Sequence, residues 1–133
     1  MIMKRLIALT ALLVLFVAFT NKSYSNEQLV KAIHKVESGG RVGKILGDSG
    51  RALGPLQIHY SNWKDAISFD KTIGGKYSDC QDLSYSIKVF NAYTKKYADG
   101  KSAEEKARIW NGGPLGHKKS ATKDYWKKVK ANL

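Results

Sequence analysis

The sequence predicts one α+β domain, mostly helical, with a small β-hairpin after its first helix. Three observations carry that expectation. Apolar residues recur at a 3.6-residue period in several separate stretches, as amphipathic helices require. Between residues 41 and 53 that period breaks into short apolar pairs set among glycines. No linker or low-complexity stretch divides the 108 residues that follow position 25, and that length suits one compact domain.

Residues 1–25 read as a signal peptide. Lys4-Arg5 form a basic start, Leu6 to Phe19 a 14-residue apolar core, and Ser23 and Ser25 are the small residues a signal peptidase reads. The core is shorter than the roughly 20 residues that span a bilayer, so an uncleaved anchor is the weaker reading, with Lys22 its only support. The mature protein is expected to start at Asn26 and to be secreted or periplasmic, with no stable membrane insertion after cleavage.

The first helix is predicted from about Asn26, with Leu29, Val30, Ile33 and Val36 on one face and Gly39-Gly40 as its stop. Arg41 to Leu53 should form a small hairpin or irregular loop turning at Asp48-Ser49-Gly50. Gly54-Pro55 suggests a short helix with proline at its first position, leading into Leu56-Gln57-Ile58, and Trp63 to Ile67 continues helically until Gly74-Gly75. The longest helix is predicted at about Gln81 to Ala98, with Leu83, Ile87, Phe90, Tyr93 and Tyr97 on one face. Ser102 and Glu105 form a capping-box pattern for a helix ending near Trp110, where Asn111-Gly112-Gly113-Pro114 interrupts it. Thr122 is placed to cap a last helix with Tyr125, Trp126 and Val129 inside.

Charge narrows the partners. The whole chain carries +12; removing residues 1–25 takes three of its 23 Lys and Arg and none of its 11 acids, leaving +9. Such an excess favours an anionic polymer, and export favours cell wall over nucleic acid. The tyrosines at 77, 85, 93 and 97 do not interleave with basic residues as a nucleic-acid platform would. Cys80 is the only cysteine, so no intramolecular disulfide can form. His34, His59 and His117 lack metal-ligand spacing, and neither a metal nor another cofactor is expected.

Glu37 is the residue with the most chemistry in it. At about 100° per residue it points within about 30° of the centre of the first helix's apolar stripe. A carboxyl held against apolar packing resists ionisation and can keep a proton near neutral pH, as a general acid must. The plainer alternative pairs Glu37 with Lys31 or Arg41 in the last helical turn. Asp48, eleven residues on, sits in a polar, glycine-flanked turn that would keep it ionised; Asp-Ser-Gly is also ordinary turn chemistry. Two carboxyls in contrasting surroundings can make an acid and a nucleophile or base.

Three segments in this order resemble the lysozyme-like superfamily: Glu37-Ser38-Gly39, Gly54-Pro55-Leu56-Gln57-Ile58 and Ile109-Trp110-Asn111-Gly112-Gly113. The chain is most similar to the invertebrate-type (destabilase-type) lysozymes. Asp48 adds to the match, as does a long C-terminal likeness through Pro114-Leu115-Gly116, Lys118-Lys119-Ser120-Ala121-Thr122 and Tyr125-Trp126-Lys127-Lys128-Val129. That resemblance implies a lysozyme-like catalytic domain over residues 26–133 that cleaves the β-1,4 bond between N-acetylmuramic acid and N-acetylglucosamine in peptidoglycan. It implies Glu37 as general acid and Asp48 as second carboxylate. Ser38, Gln57, His59, Tyr60, Asn111 and Gly112 become substrate-binding candidates, and a proteinaceous lysozyme inhibitor a candidate partner. Gly40, Leu53 and His117 stand where that disulfide-rich family would have cysteines, and Trp110 replaces its usual His.

Other readings compete with hydrolysis. A lytic transglycosylase would use Glu37 alone, and an inactive lysozyme-like protein would merely bind the wall. The family's associated isopeptidase activity would need a serine such as Ser49. Gly47-Asp48-Ser49-Gly50 also looks like the trypsin-like nucleophile motif, but the domain is too short and too helical for that two-barrel fold.

Overall fold

The computed structural model describes residues 22–133, so the basic start and apolar core of the expected signal peptide lie outside the described residues. Ser25 initiates the first helix, α1 (Asn26–Ser38): its hydroxyl accepts the Gln28 N–H, and the Gln28 side chain accepts the Ser25 N–H. Leu29, Val30, Ala32 and Ile33 are buried along one face. Gly39, at φ +68°, takes the left-handed conformation that ends the helix and returns its N–H to α1 carbonyls.

Three two-residue strands follow: β1 (Leu46–Gly47), β2 (Ala52–Leu53) and β3 (Ile58–His59). They form one antiparallel sheet in the order β1-β2-β3, with Leu46 opposite Leu53 and Leu53 opposite Ile58. The hairpin turn at Asp48-Ser49-Gly50 is where the glycines predicted it. The helix expected to open at Gly54-Pro55 is instead a turn leading into β3. Gln57 at φ +50° cannot continue a helix, and Gly54 at φ +84° lies so close to the Cys80 carbonyl that any Cβ would collide with it. The chain turns helical only at Tyr60, in α2 (Tyr60–Phe69).

The remaining helices are α3 (Leu83–Ala98), α4 (Ala103–Gly112) and α5 (Lys123–Lys130). Asp82 caps α3 by accepting the Tyr85 N–H, which moves the helix start past the predicted Gln81. Ser102 caps α4, but Glu105 accepts from the serine hydroxyl rather than from its backbone, so only half of the box forms. Thr122 is no cap. Its buried hydroxyl donates to Gly116 and Lys119 carbonyls and accepts from Arg108 Nε, tying α4 to the segment before α5.

α3 packs against α2 and α4, while α5 lies against α1 and α4. Leu29, Ile33, Leu53, Leu56, Ile58, Val89, Phe90, Tyr93, Ile109 and Val129 are buried together. Cys80 is fully buried in the same core, without a disulfide, and its thiol is pushed up to about 12 by burial and then by nearby Asp79. Among the described residues no helix is long and apolar enough to cross a membrane.

Candidate active site

Glu37 stands in the last turn of α1 with α5 packed over it. Tyr125 donates its hydroxyl to Glu37 Oε1 at 2.8 Å. Burial pushes the Glu37 carboxyl up to about 7, against the smaller opposing effect of the Tyr125 hydrogen bond. The position is also unfavourable for an anion because the negative end of the α1 dipole lies there. Neither Lys31 nor Arg41 bridges to Glu37; Arg41 Nε donates instead to the Ser38 carbonyl at 2.8 Å.

Asp48 is held differently. Its carboxylate is about half exposed, with Arg51 Nη2 3.0 Å from Oδ1 and His59 Nε2 3.3 Å from Oδ2. The backbone beneath it is unusual: Asp48 (φ +47°) and Ser49 (φ +57°) both sit in the left-handed region before Gly50. A serine there is strained, and such strain persists only where surrounding contacts enforce it. Those contacts are the Arg51 N–H and Nε, which both donate to the Asp48 carbonyl, at 3.2 and 3.1 Å.

Glu37 and Asp48 line one cleft of about 490 Å³ with Gln57, His59 and Asn111. The amide nitrogen of Gln57 donates to the Ile45 and Gly54 carbonyls, at 3.0 and 2.9 Å, which fixes its oxygen as an acceptor. That oxygen lies over Gly47 so closely that a side chain there would displace the Gln57 amide. Asn111, exposed near the end of α4, follows Trp110, whose buried ring meets Phe90 and Tyr93 edge-on at 5.0 and 5.5 Å.

Three predicted site residues lie elsewhere. Ser38 is buried and spends its hydroxyl on the His34 and Arg41 carbonyls, closing the helix end rather than orienting Glu37. Gly112 is packed against Thr122, where a side chain would clash. Tyr60 is exposed, outside the residues that line the cleft, and its ring meets Trp63 at a tilt and Tyr77 edge-on. Conversely, Ala52, Asn62 and Trp110 line the cleft and Tyr125 reaches Glu37, none of which was predicted as a site residue. Trp110 stood in the sequence beside Asn111, in place of the resembled family's usual His, and Tyr125 left a trace as an inward tyrosine whose hydroxyl needs a partner. Among the described residues no group of three or more His, Cys, Asp or Glu could hold a metal ion.

No family model matches the chain. Among characterised proteins, it is 34% identical to Lysozyme 1 of Crassostrea virginica, over 80% of this chain and 59% of that one, so it spans less than two thirds of that relative. It is 32% identical to a lysozyme of Ostrea edulis, over 79% of each chain. The fold superposes on the Meretrix lusoria lysozyme solved in complex with Aeromonas hydrophila PliI, at a TM-score of 0.69 and 29% identity, covering 83% of this chain and 92% of that one. Identity at this level over most of the chain, on the same fold and with a paired-carboxyl cleft, shows that the chain belongs to the invertebrate-type lysozyme family, which are glycoside hydrolases.

Proposed function

We propose that this protein is an exported lysozyme that hydrolyses the β-1,4 bond between N-acetylmuramic acid and N-acetylglucosamine in peptidoglycan. The observation that carries the proposal is the pairing of a Glu37 carboxyl pushed up to about 7 with the ion-paired Asp48 carboxylate in one cleft. Glu37 donates its proton to the glycosidic oxygen as the bond to the anomeric carbon breaks. Asp48 stabilises or attacks the cationic sugar that develops, and the Glu37 carboxylate then takes a proton from the incoming water. Gln57 Oε1 and the Asn111 amide offer an acceptor and a donor to N-acetyl groups.

The basic surface suits capture of anionic wall polymer, an attraction that salt weakens. By likeness to the Meretrix lusoria enzyme crystallised with PliI, a proteinaceous inhibitor is an expected partner. The deciding experiment is mass analysis of fragments from purified peptidoglycan. Reducing ends support hydrolysis, anhydro-muramic ends indicate a transglycosylase using Glu37 alone, and intact polymer with bound protein indicates an inactive wall binder.

A further inference from the structure

We infer that Tyr60, Trp63 and Tyr77 form a saccharide-binding shelf that extends the cleft beyond Asp48 and takes further rings of the same glycan strand. The inference rests on the proposed function. Tyr60 is 54% exposed, although it is an aromatic residue at the first position of α2. Its ring lies 5.3 Å from Trp63 and 5.4 Å from Tyr77, with Trp63 and Tyr77 5.9 Å apart, so the three form one contiguous patch rather than scattered surface rings.

The shelf is rigid. Trp63 Nε1 donates to the Tyr85 hydroxyl at 2.8 Å, which donates in turn to the Gly74 carbonyl at 2.7 Å. The Tyr77 hydroxyl donates to the Ile58 carbonyl at 2.6 Å. The polar ends are therefore satisfied within the protein while the Tyr60 ring faces solvent. That arrangement suits a ligand with apolar C–H faces and a polar rim, and a pyranose ring is such a ligand.

Continuity with the cleft selects the occupant. Tyr60 directly follows His59, which lines the cleft and pairs with Asp48. Asn62, between Tyr60 and Trp63 on α2, also lines the cleft, and the Tyr77 hydroxyl lies 3.4 Å from the carbonyl of Arg51, whose side chain pairs with Asp48.

The test uses the full chain carrying Glu37→Gln, titrated calorimetrically with a trisaccharide and a hexasaccharide of N-acetylglucosamine. In that background Tyr60→Ala should weaken hexasaccharide binding about tenfold, and trisaccharide binding much less. Tyr60→Phe should keep the hexasaccharide affinity, because the ring face rather than the hydroxyl makes the contact. Equal losses for both lengths, or no loss for either, overturn the shelf. So does self-association that Tyr60→Ala abolishes while hexasaccharide binding stays intact, which would assign the patch to a second copy. Peptidoglycan cleavage by the unaltered protein is measured alongside. If it fails, the functional reading falls and the shelf with it; if it succeeds, a negative titration counts against the shelf alone.

Discussion

Glu37 and Asp48 are the same chemical group in opposite settings. Glu37 ends a 13-residue helix, is enclosed by α5, and has one phenol as its partner. Asp48 opens the turn between two-residue strands, exposed to water, between a guanidinium and an imidazole. Burial in the first setting favours the protonated form of Glu37, while the second leaves Asp48 ion-paired and open to water. The helix supplies burial. The hairpin supplies exposure and the Arg51 guanidinium, at the cost of left-handed backbone at Asp48 and Ser49.

The contrast is best broken at Glu37. Glu37→Gln keeps the shape but cannot supply a proton, so turnover of peptidoglycan should fall about 10²–10⁴-fold; near-native turnover would remove the acid assignment. Asp48→Asn should cost about 10²-fold through lost electrostatic stabilisation, with little change in melting temperature. Near-normal turnover of that variant with anhydro-muramic products would turn the reading to a transglycosylase.

Stability offers a subtler separation. The folded state holds the Glu37 proton more tightly than the unfolded chain does, so Glu37 leaves stability untouched below about 4.5 and lowers it as pH rises toward about 7. Glu37→Gln escapes that loss and should be more stable than the parent at pH 8, by at most about 3 kcal/mol, and no more stable at pH 4. Urea midpoints at the two pH values check this. Tyr125→Phe removes the hydrogen bond that favours ionised Glu37, so the alkaline limb of the activity profile should move to higher pH. A limb that stays put would make Tyr125 a packing residue only.

Much of this contrast was legible in the sequence. The period of α1 pointed Glu37 inward, and Asp-Ser-Gly among glycines marked an exposed turn for Asp48. What failed was local patterning where distant contacts decide. Gly54-Pro55 reads as a helix start, yet the Cys80 carbonyl pressed against Gly54 and the pairing of Ile58 with Leu53 make it a turn and a strand. Thr122 reads as a cap, but Arg108 and the Gly116 carbonyl claim its hydroxyl. Tyr125 lies 88 positions from Glu37, so no local rule could join them. Ser38 and Gly112 border the cleft-lining Glu37 and Asn111 but turn into the scaffold.

The core that encloses Cys80 has a bearing on how the protein can be made and handled. With one cysteine, buried and carrying a thiol pushed up to about 12, the domain offers a reductant nothing to open. Its melting temperature should be the same with and without dithiothreitol. The fold can therefore form in a reducing solution as well as in an oxidising one.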